Sequence, residues 1–183
     1  MSSRTRASSS GGVNLYARYI NDIWGPGDAG GNLIAAGNVS LVPLQIPFTL
    51  TIDRVCIFVN NSAGNVIVGI YRDNGDTPQG GALLGESAST AIGTSGRRYD
   101  IPIGPLQLTL GLYWLCVEAS DAALTLRSVC GSGSVHREVG GLGFLSSCYY
   151  SRGVYGSPLT DPCPALSIWD FSPAQAVRVL SIP

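Results

Sequence analysis

The chain has 183 residues, of which 45% are hydrophobic and 13% are charged, and its formal net charge is -1. A chain of this length can bury roughly 70% of its unfolded surface, so one domain can fold without a metal or a disulfide framework. The small net charge and the absence of any run of about 18 apolar residues predict no nucleic-acid partner and no membrane insertion.

The amino-terminal segment, residues 1–37, differs in composition from the rest of the chain. Residues 1–12 are rich in Ser, Gly and Arg and contain too few apolar side chains to enter a core. Residues 13–24 space their aromatic and aliphatic side chains as one short amphipathic helix or a docking segment would, and Gly25-Pro26-Gly27 ends that pattern. We therefore predict a docking arm over 1–37. Its candidate contact residues are Arg4, Arg6, Tyr16, Tyr19 and Trp24.

From residue 38 onwards, short apolar runs rich in β-branched and aromatic residues alternate with turn residues. Strands at such intervals are typical of two packed antiparallel sheets. We therefore predict an all-β domain over 38–183, an antiparallel, jelly-roll-like β-sandwich with an extended N-terminal arm. The predicted strands are 38–42, 51–59, 65–71, 83–89, 98–103, 111–119, 123–129, 142–150 and 176–182.

One predicted strand, 51–59, is apolar on nearly both faces, which is typical of a strand at the centre of a sandwich. Cys56 in this strand and Cys116 in a later one fit the pattern of small core residues. The aromatic residues of the strands are also expected in the core. They are Tyr71, Tyr113 and Trp114.

Residues suited to catalysis are few. The only His, His136, lies in a Gly/Ser-rich loop rather than in a setting that would bury and orient an imidazole. Glycoside hydrolysis needs two carboxylates roughly 5–9 Å apart, and the sequence does not bring Asp73, Asp76 and Glu118 together. The chain has no Lys, which excludes a Walker loop. We therefore predict a non-enzymatic protein without catalytic residues, metal or cofactor.

Two local features leave alternatives open. The segment Asp73-Asn74-Gly75-Asp76 offers oxygen ligands as a Ca²⁺ loop would, but Asn-Gly is also typical of a hairpin turn, and we favour the turn. Cys130, Cys148 and Cys163 lie in the turn-rich last third of the chain. A disulfide among them is one alternative, and free thiols kept reduced in a cytosol are the other.

Aromatic residues in and beside the irregular C-terminal loops are the candidates for ligand binding. Flat rings next to small polar residues are a common way to bind sugars or partner proteins. The alternative is that these rings fill the end of the sandwich or a subunit interface. The candidates are Tyr149, Tyr150, Tyr155 and Trp169.

Several strand-and-turn phrases follow one another in a characteristic order. They are Thr51-Ile52-Asp53-Arg54-Val55, Val68-Gly69-Ile70-Tyr71-Arg72-Asp73, Leu83-Leu84, Leu108-Thr109-Leu110-Gly111-Leu112-Tyr113-Trp114-Leu115, Tyr155-Gly156-Ser157-Pro158 and Val177-Arg178-Val179-Leu180. Together they resemble a β-sandwich module found in virion structural proteins of tailed phages, tail-fibre-like proteins among them. The resemblance extends over roughly 38–183 and implies a fold and a setting, but no catalytic residues.

The resemblance implies a virion protein that is assembled in the host cytoplasm. One hypothesis is a tail-fibre or tail-surface module that docks onto other virion proteins through its arm and contacts a host surface glycan. Such proteins are symmetric homo-oligomers, most often trimers. The alternative is a capsid decoration or cement protein that stabilises the particle and has no ligand.

Overall fold

The computed structural model describes residues 19–20, 31–33, 36–75, 77–129, 137–138, 144–145, 147–156, 158–169, 172–173 and 175–182. These residues are all-β without a helix, and their antiparallel strands form two sheets that pack together, which confirms the predicted β-sandwich. The strands are β1 (Tyr19–Ile20), β2 (Gly31–Leu33), β3 (Asn38–Ile46), β4 (Leu50–Asn61), β5 (Asn65–Arg72), β6 (Leu83–Glu86), β7 (Thr90–Ala91), β8 (Arg97–Leu108), β9 (Gly111–Ala119), β10 (Thr125–Val129), β11 (Arg137–Glu138), β12 (Phe144–Leu145), β13 (Ser147–Ser151), β14 (Ser167–Trp169), β15 (Ser172–Pro173) and β16 (Gln175–Ser181).

The first sheet is organised around β4. Strand β8 pairs along one edge of β4, while β16 and β10 share the other edge. Strand β16 continues to β1, and β10 pairs with β2 and β15. Because both edges of β4 are paired, the central position expected for its apolar sequence is confirmed.

The second sheet is organised around β9, which pairs with β3 on one side and β5 on the other. Strand β3 continues to β13 and then β14, and β5 pairs with both β6 and β7. Strands β11 and β12 form a separate two-stranded ribbon. In the part of the chain that the structure describes, no helix is long and apolar enough to cross a membrane.

The main core lies between the two sheets. Alternate residues of β9 enter it, as the period of two in a strand requires. Tyr71 and Trp114 are buried as expected but lie outside this core, in a second cluster. The main core consists of Val42, Leu44, Ile46, Leu50, Ile52, Val55, Ile57, Val59, Val66, Val68, Ile70, Ile92, Ile101, Leu108, Tyr113, Leu115, Val117, Ala119, Leu124, Leu126, Val177 and Val179.

A β-bulge in β4 explains why its sequence is apolar on nearly both faces. Ile52 and Val55 both enter the main core although three positions separate them. The pairing of β4 with β8 shifts register between Ile52 and Arg54, and the pairing with β16 shifts at the same place. An extra residue in a strand reverses the alternation. Asp53 and Arg54 are therefore left together on the outer face.

Several predicted boundaries differ from the observed ones. Strand β3 continues through Pro43 to Ile46 and stays paired with β9 over this stretch, with Pro43 opposite Trp114 and Ile46 opposite Gly111. Strand β6 ends at Glu86, and the strand predicted over 142–150 is two strands, β12 and β13. The helix considered for 13–24 is wrong at Tyr19–Ile20, which pair with β16 as β1.

The outer face of the first sheet carries a network of charged side chains. Arg178 Nε donates to Asp53 Oδ1 at 2.9 Å, and Arg178 Nη2 donates to Asp53 Oδ2. Arg54 Nη1 donates to the Asp100 carbonyl at 3.1 Å, and the guanidinium of Arg98 pairs with the Asp100 carboxylate. The hydrogen bonds from Arg178 are the main reason why the pKa of Asp53 lies below its ordinary value of 3.8.

Replacing Asp53 by Asn should reduce stability most at neutral pH. Because the folded-state pKa of Asp53 is lowered, its carboxylate stabilises the fold above pH 3.8, and this contribution is lost as the pH falls through the lowered value. We expect D53N to lose about 1–2 kcal/mol of unfolding free energy near neutrality and less in acid. Urea unfolding at several pH values measures this, and an equal loss at every pH would contradict it.

Candidate functional site

The outer face of the second sheet carries a second buried apolar cluster. Side chains of β3, β5 and β9 that point away from the main core form its floor. An irregular segment, residues 152–156 and 158–166, lies over this floor and is called the strap below. The cluster consists of Val39, Leu41, Ile67, Tyr71, Trp114, Cys116 and Tyr150, covered by Leu159 and Cys163 of the strap. The central strands of this sheet are therefore buried on both faces.

Backbone hydrogen bonds attach the far half of the strap to the loop between β5 and β6. Gly80 N donates to the Cys163 carbonyl at 2.7 Å, and Cys163 N donates to the Gly81 carbonyl at 3.0 Å. Side-chain carboxylates add to these bonds: Asp161 Oδ1 accepts from Leu83 N at 2.9 Å. These bonds hold the far half of the strap to the edge of the second sheet and pair polar groups on both sides of the contact.

Glu86 connects the middle of the strap to β6. Its Oε2 atom accepts a hydrogen bond from Leu159 N at 2.7 Å. The side chain of Leu159 then packs over Gly69 of β5, where an added Cβ would lie 2.8 Å from Leu159 Cδ1 and 3.0 Å from Cys116 Sγ. Since nothing larger than a hydrogen fits there, Gly69 permits the strap to lie this close to the sheet.

Two tyrosine hydroxyls join the floor to the strap. Tyr71 donates from its hydroxyl to the Thr160 carbonyl at 2.7 Å. Tyr150 lies 2.8 Å from the same hydroxyl and therefore acts as the donor to it, because the proton of Tyr71 is already used. Burial raises the pKa of both phenols, so both remain neutral donors at physiological pH.

A buried ion pair holds the near half of the strap. Glu118 on β9 is 0% exposed, and its Oε2 accepts from Arg152 Nη1 at 3.0 Å and from Gly156 N at 3.4 Å. Arg152 also donates to the Pro158 carbonyl at 2.7 Å and to the Gly156 carbonyl. Burial raises the pKa of Glu118, and the positive charge of Arg152 opposes that rise. One guanidinium therefore neutralises the carboxylate and fixes the strap backbone.

The three predicted ligand residues whose side chains the structure describes do not converge on one surface. Tyr150 is 3% exposed inside the second cluster, and Tyr149 points to the opposite face of β13 and is half-buried. Tyr155 lies half-buried in the strap, with its hydroxyl 2.7 Å from Ser89 Oγ, and burial raises its pKa. Trp169 belongs to β14, and its side chain lies outside the described residues. Tyr149 and Tyr155 are thus the partly exposed members.

Most of the predicted docking arm lies outside the described residues. This applies to Arg4, Arg6, Tyr16 and Trp24. Tyr19 alone is placed, opposite Arg178 in the pairing of β1 with β16. Within the predicted arm, β1 and β2 (Gly31–Leu33) both pair in the first sheet of the sandwich, with β16 and β10, and the docking role of the arm remains a prediction.

Two of the acidic residues considered for catalysis, Asp73 and Glu118, have different surroundings and different partners. Asp73 Oδ1 accepts a hydrogen bond from Trp114 Nε1 at 2.8 Å, whereas Glu118 is enclosed beneath the strap. Asp76 and His136 lie outside the described residues. Among the residues that the structure does describe, no group of three His, Cys, Asp or Glu could hold a metal ion.

The three cysteines whose side chains the structure describes are free thiols. Cys56, Cys116 and Cys163 are all buried, and burial raises the pKa of each thiol, so none is a reactive thiolate. Core positions for Cys56 and Cys116 are thereby confirmed. Cys163 covers the second cluster, while the side chains of Cys130 and Cys148 lie outside the described residues.

Sequence reasoning missed the strap and its anchors. Glu118 follows a buried apolar run, and Arg152 lies 34 positions later, so nothing local connects them. One sign of the strap was present in the sequence. Gly69 is an isolated glycine inside an apolar strand, and such a glycine indicates that another segment approaches closely. No known family model matches the chain, and no curated protein matches it either.

Replacing Arg152 by Met should strongly destabilise the fold, because Glu118 would be left charged and buried without a partner. We expect a loss of about 3–5 kcal/mol at neutral pH. Without Arg152 the pKa of Glu118 rises further, so the unpaired carboxyl takes up a proton more easily, and the loss should shrink as the solution is made more acidic.

The double variant E118Q/R152M is the matched control for this prediction. It removes the buried charge together with its partner, so it should recover part of the lost stability and show little pH dependence. Urea unfolding of the parent, R152M and the double variant measures the difference. Equal losses in both variants at every pH would contradict the role given to the Glu118 charge.

Proposed function

We propose that this chain is a non-enzymatic structural protein of a tailed-phage virion. In this proposal, a tail-fibre or tail-surface module docks onto other virion proteins through residues 1–37 and contacts a host surface glycan. The resemblance of its strand phrases to phage β-sandwich modules supports the setting. A homo-oligomer, with a trimer favoured, and assembly in the host cytoplasm belong to the same proposal.

The observation that supports the proposal is the use of acidic side chains, one of them fully buried, as anchors for the strap. Glu86, Glu118 and Asp161 all accept hydrogen bonds from backbone or from Arg152 that hold the strap over the second sheet. Side chains that serve as anchors in this way join the strap and the second sheet into one rigid body. A rigid body with an attached arm is what a projecting virion module requires.

In this proposal, the partly exposed aromatic rings contact the glycan. Tyr155 presents part of its ring on the strap, and its hydroxyl is fixed by Ser89. A ring whose orientation is fixed before binding loses little entropy when a sugar stacks on it. The strap is thus the surface from which we expect host contact.

Capsid decoration is the second candidate, and exposed apolar turns favour it. Phe48 and Leu110 lie at the tips of two turns and are 37% and 69% exposed. Apolar tips of this kind fit contact with a neighbouring capsid subunit. In that case the particle would be stabilised and no ligand would be bound.

Labelling of intact particles should separate the two candidates. An antibody against the strap, detected with gold in the electron microscope, should mark the tail of particles of the phage that encodes the chain. Deleting residues 2–12 should leave the melting temperature unchanged, because that segment lacks core residues, but should reduce incorporation into particles. Label over the head would indicate decoration instead, and unlabelled particles or unchanged incorporation would refute the docking proposal.

Binding of the free protein to host cells tests the glycan contact. Replacing Tyr155 by Ala should weaken cell binding at least about tenfold if the ring stacks on a sugar. Tyr155→Phe is the matched control, because it keeps the ring and removes only the bond to Ser89, so it should bind nearly as well as the parent. Equal binding by Y155A and the parent would exclude this ring as the contact.

A further inference from the structure

The described part of the chain has five exposed large apolar side chains, and four of them lie at one end of the sandwich. Leu110 is 69% exposed, Leu180 50%, Ile182 44% and Phe48 37%. Single exposed apolar residues are ordinary, but a group of them marks a contact surface. The fifth residue, Val154, is 72% exposed and lies elsewhere.

Strand register brings the two turns of this group together. Strands β3 and β9 are paired up to Ile46 and Gly111, and strands β4 and β8 are paired from Leu50 and Leu108. The turn from β3 to β4 and the turn from β8 to β9 are therefore neighbours. Their tip residues are Phe48 and Leu110.

The last strand brings the other two residues to the same place. Ser181 of β16 lies opposite Thr51, one residue after the start of β4. Leu180 and Ile182 flank Ser181 and so lie beside the β3–β4 turn. Phe48, Leu110, Leu180 and Ile182 are called the apolar end below.

The turn that presents Leu110 is held rigid by Tyr113. The hydroxyl of Tyr113 accepts a hydrogen bond from Thr109 N at 3.1 Å and donates one to the Thr109 carbonyl at 3.1 Å. Tyr113 itself is buried in the main core. Leu110 is thus fixed in an exposed position before any partner arrives, which lowers the entropic cost of binding.

The composition of the apolar end suits contact with a copy of itself. Neither turn contains a charged residue, and the segment Leu180-Ser181-Ile182 contains none either. Two such ends can meet without like-charge repulsion, which would otherwise oppose self-association. Most soluble oligomers consist of identical copies related by symmetry, in which the same patch of every copy can contribute to the contact.

Strand β1 begins at the same end of the first sheet. Tyr19 lies opposite Arg178 and Ile20 opposite Val177, so the chain enters β1 from the side of Leu180 and Ile182.

We propose that the apolar end is a self-association surface on which a second copy of this chain packs through the same end. This proposal does not depend on the virion setting, since it rests on exposure, register and charge alone.

Sedimentation equilibrium of the full chain over a wide concentration range tests the proposal. The parent should self-associate. The double variant Phe48→Ser/Leu110→Ser should raise the dissociation constant at least about tenfold, because it removes two exposed apolar contacts. Val154→Ser is the matched control, since Val154 N lies near Gly37 at the opposite end of β3, and it should leave the constant unchanged.

A monomeric parent at every concentration, equal association by the double variant, or equal weakening by V154S would overturn the proposal. A monomeric parent whose incorporation into particles is lost in the double variant would assign the apolar end to a different virion protein instead. Cross-linking provides a second measure, because it traps the contact covalently. With a bis-maleimide reagent, Leu110→Cys should form dimers faster than the parent and Val154→Cys, and equal rates would count against the contact.

Discussion

The second sheet has two apolar faces, and this constraint determines the arrangement of the rest of the molecule. One face of β9 packs on the first sheet and forms the main core, while the other carries Trp114 and Cys116. A sandwich of two sheets covers only one face of each, so the second apolar face needs a further layer. The strap supplies that layer, which explains why a segment without regular structure is held by so many hydrogen bonds.

The buried ion pair is best understood as part of this covering layer. A buried carboxylate costs free energy even when it is paired, and an apolar residue at Glu118 would cover the sheet as well. What the ion pair contributes is a defined position of the strap on the sheet. Arg152 binds Glu118 and two strap carbonyls at once, and the strap must be placed so that all three bonds form together. Gly69 and Leu159 then close the remaining gap by direct contact.

The two outer sheet faces and the end of the sandwich differ in what covers them. The strap closes the outer face of the second sheet, and charged pairs such as Asp53–Arg178 occupy that of the first. Apolar side chains remain uncovered mainly at one end, where Leu110 is presented by a turn that Tyr113 holds. The proposed contacts follow this division, with self-association at the apolar end and host contact at the strap.

The sequence by itself determined the all-β class, the order of the main strands and the central place of β4, because alternation and turn residues are local properties of the chain. Only the tertiary structure decided the bulge at Asp53, the strap and the Glu118–Arg152 pair. The bulge shows in the sequence only as apolar residues on both faces, and its register depends on pairing with β8 and β16. The strap and its anchors join residues far apart in the chain, and no local pattern records which of two apolar faces a distant segment will cover.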